Sequence, residues 1–278
     1  MDGIGTALIT GASSGIGAVY ADRLADGGYD LIIVARHADQ LRAMAADLTT
    51  ETGRSIEIIA ADLTISEDVA KIEAVLNTDA SITMLVNNAG IGAATPFLTS
   101  DISVMEKIIA LNVTALTRLA YAAARAFSNR GEGIITNLAS SVAIYPEQLN
   151  GVYSASKAFV LAFSRSLHHE LADKGIRVQV VLPGATATDF WDTAGMLLGR
   201  MPKDTIMSPE DVVDAAIAGL KNGEFVTIPS LPESADWEAF ERAREALLPN
   251  LSRSVPAPRY GIARHPPKSH VLSKSPRP

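Results

Sequence analysis

The sequence predicts an α/β fold, a doubly wound parallel sheet of about seven strands with helices on both faces. Three observations carry this. Short apolar runs alternate with helical patterns almost to residue 230. Most of those runs are apolar without interruption, as strands become when helices cover both faces of a sheet. The first run passes directly into a glycine-rich turn and then a helix with an apolar stripe, the beginning of a strand–turn–helix unit. With 278 residues, 47% of them apolar and 20% charged, the chain is long enough to bury a large core.

The strand candidates are, in order, Ala7–Thr10, Leu31–Val34, Ile56–Ile59, Met84–Val86, Gly133–Thr136, Val178–Leu182 and a short Phe225–Ile228. After the first of them, Ile16, Tyr20 and Leu24 recur at i, i+4 and i+8 and mark the buried stripe of a helix. Residues 104–127 read as a long helix with little polar surface, and residues 152–174 as another, apolar at Phe159, Val160, Phe163, Leu167 and Leu171. A helix apolar nearly all round is buried on more than one side. These two helices are read as a homodimer or homotetramer interface, although deep burial within one subunit leaves the same pattern.

Composition excludes several classes. The chain has no cysteine, which removes disulfides, thiolate metal sites and cysteine nucleophiles and fits a reducing, cytoplasmic setting. No apolar run approaches the roughly 18 residues of a membrane span, and no basic leader precedes the first strand, so neither membrane insertion nor export is expected. The formal charge of −7 divides into +6 for residues 246–278 and −13 for the rest, and so acidic a body argues against nucleic acid as a partner. Residues 1–248 are taken as one domain. Residues 249–278 are a proline-rich basic tail with too few apolar residues to build a core.

Two motifs carry chemistry. Tyr153 and Lys157 stand four residues apart near the start of the second long helix, which stacks a phenol and an ammonium on one face. A free tyrosine has a pKa of about 10, and a cation held close favours the phenolate. The expectation is therefore a Tyr153 drawn down toward neutrality, where it can act as acid and base. The second motif, Thr10-Gly-Ala-Ser-Ser-Gly-Ile-Gly17, sits between the first strand and first helix. Gly11, Gly15 and Gly17 allow a tight turn, close backbone approach to a pyrophosphate and helix–sheet packing, while the helix N-terminus points N–H groups at the anion. The spacing is GxxxGxG, neither GxGxxG nor a P-loop.

The same loop contains Gly11-Ala-Ser-Ser-Gly15, a literal GxSxG, which offers Ser13 as the nucleophile of a serine hydrolase. Such an elbow normally follows several strands, whereas here it follows the first. His168, His169 and Glu170 do not make a metal site, because adjacent helical residues diverge by about 100° and no further ligand stands at a suitable spacing.

Taken together these residues resemble the compact, single-domain branch of the short-chain dehydrogenase/reductase family, whose fold is Rossmann-type. The match runs from residue 5 to about 228: Thr10–Gly17 as cofactor loop, Asp62 and Leu63 as adenine contact, Asn87-Asn-Ala-Gly90 at the fourth strand, Ser140, Tyr153 and Lys157 as catalytic set, and Pro183-Gly184 with Thr186 and Thr188 on the nicotinamide side. Ser140 precedes Tyr153 by the family's 13 residues, which selects it over Ser141. Asn112 matches the family's asparagine in the long helix.

The resemblance implies roles. Tyr153 exchanges a proton with a carbonyl or alcohol oxygen, Lys157 holds the nicotinamide ribose and lowers the phenol's pKa, Ser140 hydrogen-bonds the substrate oxygen, and Asn112 organises a water route for the proton. Ser13, Ser14, Ile16, Asn88, Ala89 and Gly90 join the three loop glycines in holding the cofactor. At the end of the second strand there is no acidic residue near Ala35, and Arg36 follows, which favours NADP over NAD through charge-assisted bonds to a 2′-phosphate. The expected activity is NADP-dependent hydride transfer to or from a small, apolar carbonyl or alcohol compound. A protein that binds NADP as a sensor without turnover is the alternative. Substrate selection is expected from residues 185–207, whose Phe190, Trp191, Met196, Leu197, Leu198, Met201 and Met207 form either a lid over an apolar substrate or a seal of the loop onto the core, together with Val142, Ile144, Tyr145 and Leu149.

Overall fold

The computed structural model describes residues 4–149, 151–195 and 201–262. Its strands in chain order are β1 (Thr6–Thr10), β2 (Asp30–Ala35), β3 (Ile56–Ala60), β4 (Ile82–Asn87), β5 (Gly133–Leu138), β6 (Ile176–Val181), β7 (Ala185–Thr186), β8 (Ile206–Met207) and β9 (Val226–Thr227). Seven of them form one parallel sheet in the order β3-β2-β1-β4-β5-β6-β9, as expected, while β7 and β8 pair separately. The helices are α1 (Gly15–Asp26), α2 (Ala38–Thr52), α3 (Ser66–Thr78), α4 (Ile102–Ile109), α5 (Leu116–Arg130), α6 (Gly151–Leu171), α7 (Phe190–Ala194), α8 (Pro209–Lys221) and α9 (Ser234–Glu245).

The period of two along each strand sends alternate side chains to opposite faces. In β1, Ala7 and Ile9 pack into a core with Tyr20 of α1, Leu41 of α2 and Val213 of α8. Leu8 between them packs the other way, with Ile72 of α3 and Leu119 and Phe127 of α5. The sheet is therefore covered on both sides, which is why its central strands needed no polar face. In the first helix Tyr20 and Leu24 are buried and Ile16 is half-buried, so the predicted stripe faces the sheet.

Three elements differ from expectation. The helix anticipated over 104–127 runs as α4, a π-helical turn at Ala110–Ala115, and α5. The wider turn turns Asn112 inward, where it is 1% exposed and bonded to the loop after β4. The second long helix tightens into a 3₁₀ turn at Ala172–Lys174, ended by Gly175 in the left-handed conformation at φ +72°. Strands β7 and β8 were not anticipated, because each is two residues long and lacks an apolar run such as Phe225–Ile228, which marks the equally short β9.

By internal packing the chain divides into a unit ending at Ser230 and a second from Leu231 onward. The second contains α9, on which the Trp237 and Phe240 rings stack with centres 5.1 Å apart, and short 3₁₀ turns at Leu248–Asn250 and Pro258–Tyr260. Residues 263–278 of the anticipated tail lie outside the described residues. Among the described residues no helix is long and apolar enough to cross a membrane.

Candidate active site

The strand order reverses at β1, which has β2 on one side and β4 on the other, and a cleft of about 800 Å³ opens at the carboxyl ends of the strands there. The residues singled out in the sequence for catalysis or cofactor binding line this one cleft, except Thr10, Ala12, Gly17, Asn87 and Asn112, which are buried behind it.

The floor is the loop after β1. Gly11 and Gly15 adopt φ of +66° and +54°, a region closed to most side chains. A Cβ on Gly11 would lie 2.9 Å from the Cα of Ala89, one on Gly15 2.9 Å from Thr188 Cγ2, and one on Gly17 2.1 Å from the Gly11 carbonyl oxygen. The three glycines thus bring the loop against β4, the 183–188 segment and its own helix at once. Asn88 fastens it, its side-chain amide donating to the carbonyls of Thr10 (2.9 Å) and Gly11 (3.0 Å). In return the Thr10 hydroxyl accepts from the backbone N–H groups of Asn88 and Ala89, each at 3.1 Å.

One flank holds charge. Arg36, at the end of β2, is exposed on the rim, and its charge helps hold the Asp62 carboxyl below the usual carboxylate range. The larger cause of that lowering is Thr64, whose N–H and hydroxyl both donate to Asp62 Oδ1, at 2.9 and 2.7 Å. Leu63 lines the cleft beside them.

At the other end the catalytic candidates converge. Tyr153 is 5% exposed and hydrogen-bonded to Ser140, whose hydroxyl also donates to the Pro183 carbonyl at 3.3 Å. The Lys157 ammonium donates to the Leu138 carbonyl at 2.8 Å and lies 6.0 Å from the centre of the Tyr153 ring. The expected lowering of the Tyr153 pKa does not occur in this environment. Burial pushes the phenol up to about 12, and the Ser140 hydrogen bond opposes that only in part. Lys157 is pushed down to about 8 by its own burial. Spacing placed the two groups on one helix face; it did not register that both leave water.

Asn112 is wholly occupied. Its carbonyl oxygen accepts from the Ile91 N–H at 3.0 Å, and its amide donates to the Ile91 carbonyl at 2.9 Å and the Ser156 hydroxyl at 3.0 Å. Here it ties the loop after β4 to α6, a positioning role in addition to the water route implied by the resemblance.

Of the anticipated substrate residues, Val142, Leu149, Phe190, Trp191 and Met201 line the cleft. Ile144 and Tyr145 are not among its lining, and Met207 is taken up in β8. Met196, Leu197 and Leu198 lie outside the described residues. The sequence reading missed Thr64, Ile91, Leu138 and Ser156. Thr64 and Ser156 carried a weak signal, each a side-chain hydroxyl within three residues of a named site residue. Ile91 and Leu138 act through backbone groups, which residue type cannot announce. His168 and His169 are exposed, His168 stacks on Phe225 at 4.5 Å, and no metal-binding cluster occurs among the described residues.

Comparison with known proteins supports the fold and the family. A short-chain dehydrogenase from Sphingobium yanoikuyae, solved in complex with NADPH, is 45% identical and superposes with a TM-score of 0.90 over 92% of this chain and 100% of that one. A bulky-bulky ketone specific alcohol dehydrogenase from Comamonas testosteroni is 41% identical, with a TM-score of 0.86 over 93% and 99%. Human 17-beta-hydroxysteroid dehydrogenase type 3 is 35% identical over 185 residues, 66% of this chain but only 59% of the human protein, so the chain spans less than two thirds of that relative. Residues 5–196 match the family profile described as short chain dehydrogenase, and the chain belongs to that family.

Proposed function

We propose that the protein is an oxidoreductase that transfers hydride between a nicotinamide dinucleotide, NADP in preference to NAD, and the carbonyl or secondary alcohol of an apolar small molecule. The observation that carries this reading is the joining of two ends in one cleft: a glycine cradle at the β1–α1 turn and the Ser140–Tyr153–Lys157 set beside apolar walls. The cradle fits a pyrophosphate, because Gly11, Ser13, Ser14, Gly15 and Ile16 line the cleft at the N-terminus of α1, the end of a helix that favours an anion. When bound there, the dinucleotide supplies or accepts the hydride.

The protein's residues do the rest. Tyr153, a neutral phenol near pH 7, donates its proton to the carbonyl oxygen in reduction and takes it back in oxidation. Ser140 orients that oxygen beside the phenol, and Lys157 of α6, its ammonium held at the end of β5 by the Leu138 carbonyl, would hold the ribose. Asn112 keeps the loop after β4 in place. Arg36 on the rim grips the 2′-phosphate, and the NADPH bound in the Sphingobium relative supports that choice. A bulky ketone as substrate is supported by the Comamonas relative and by Val142, Leu149, Phe190 and Trp191 in the cleft wall. On this reading Ser13 belongs to the phosphate loop and is no nucleophile. Exposed Ile102, Val104, Ile109 and Tyr121 on α4 and α5, and Phe159 on α6, support a homodimer or homotetramer through those helices.

The test is NADPH consumption with a panel of aldehydes and bulky ketones, beside a binding titration. Turnover of at least one carbonyl compound is expected. Tight NADPH binding without turnover across the panel would favour the sensor reading instead.

A further inference from the structure

We infer that Phe190, seated in the space left by the missing side chain of Gly92, is the wall that sets how large a substituent can stand beside the reacting carbonyl carbon; this rests on the hydride-transfer reading above.

The contact is between a ring tip and a backbone. A Cβ on Gly92 would lie 2.3 Å from Phe190 Cζ and 3.0 and 3.1 Å from the two Cε atoms, so the ring meets the Gly92 Cα end-on. No other residue leaves that room. The same ring stands 5.7 Å, centre to centre, from Tyr153, at 48°, and lines the cleft with it. Whatever group Tyr153 protonates must therefore carry its substituents past Phe190.

The ring is also held from behind. Trp191 meets it edge-on at 5.5 Å and 87°, and is itself pinned by a 2.8 Å hydrogen bond from Nε1 to the Thr186 carbonyl. The far end of α7 is tied to the loop that bears Gly92 by the bond from Ala94 N–H to the Ala194 carbonyl at 2.9 Å. With both ends of α7 anchored, Phe190 forms a fixed surface and the carbonyl pocket has a fixed width on this side.

The substrate class follows: ketones whose substituent on this side is limited by a phenyl ring at van der Waals contact. The limit is removable by a single substitution. The experiment measures NADPH-dependent kcat/KM for aryl alkyl ketones with alkyl groups from methyl to butyl, in the parent, Phe190→Ala, Phe190→Leu, Gly92→Ala and the Gly92→Ala/Phe190→Leu double variant, with NADPH affinity measured for each. Phe190→Ala is expected to raise the ratio of largest to smallest ketone by about tenfold or more, the scale of one methylene's discrimination in a tight pocket. Phe190→Leu, which lacks the ring tip, carries the same expectation should the alanine variant lose NADPH affinity. Gly92→Ala should lower the ratio, because its methyl drives the ring into the cleft, and the double variant should return to the Phe190→Leu value. A parent that reduces these ketones with a size profile unchanged in both Phe190 variants, or a Gly92→Ala effect of equal size with and without the ring, overturns the wall alone. A parent that binds NADPH and reduces neither this series nor any aldehyde or bulky ketone of the wider panel overturns the functional reading and the wall with it.

Discussion

Lys157 Nζ donates a 2.8 Å hydrogen bond to the backbone carbonyl of Leu138, at the last residue of β5. The helix that carries Lys157 is thereby clamped to the strand whose end carries Ser140, and the catalytic set is held as one piece. The same clamp keeps the ammonium buried, with the neutral Leu138 carbonyl as its hydrogen-bond acceptor. Burial, the cause of its lowered pKa, therefore has a consequence for stability.

The folded-state pKa of Lys157 is about 8 against an ordinary 10.5, so between those values the unfolded chain binds more protons than the folded one. Stability attributable to this group rises with pH across that window. Tyr153, raised to about 12 from 10.0, works in the opposite direction above pH 10. Urea unfolding of the parent and Lys157→Met at pH 8 and pH 10 isolates the term: the parent should gain on the variant as pH rises. A parent that loses ground would mean Lys157 is stabilised as a cation.

Asn112→Ala should cost about 1–3 kcal/mol of unfolding free energy, because it strips partners from the buried Ser156 hydroxyl and from both backbone groups of Ile91. Denaturant unfolding measures it directly. A change within about 0.5 kcal/mol, the range of ordinary surface substitutions, would show that water replaces the amide without loss.

Much of the fold was legible because a buried parallel strand and an amphipathic helix each leave a period in residue type. Leu31–Val34 and Ile16/Tyr20/Leu24 are such patterns, and the glycines of 11–17 were legible because only glycine fits where φ is positive or a Cβ would collide. What stayed hidden has no residue-type signature. The Leu138 carbonyl is a backbone group, the π turn around Asn112 is a matter of one hydrogen-bond step, and the Phe190 seat is made of atoms Gly92 lacks. The sign of the Tyr153 shift was misjudged because i, i+4 spacing measures neighbourhood along a helix and carries no information on burial.

Arg36→Ala should weaken NADPH by roughly 10- to 100-fold, the worth of one charge-assisted contact, and leave NADH nearly unchanged. The side chain is exposed on the rim of the cleft, so the substitution leaves the core alone. Fluorescence titrations with both dinucleotides decide it. Equal losses would remove Arg36 as the discriminating residue.

A chain ending at Leu251 should keep its fold and its NADPH affinity, since every residue lining the cleft lies between Gly11 and Thr205. Steady-state kinetics of the truncated protein provide the check. A loss of more than about tenfold in kcat/KM, roughly 1.4 kcal/mol of transition-state stabilisation, would give the segment beyond Leu251 a part in the active site.

Tyr153→Phe isolates the proton that Tyr153 moves, because it deletes one buried hydroxyl and keeps the ring against Phe190. The expected outcome is NADPH binding close to that of the parent and carbonyl reduction slower by about 10²- to 10⁴-fold, the usual contribution of a positioned acid. A Tyr153→Phe protein that reduces the same substrate at the parental rate would contradict it.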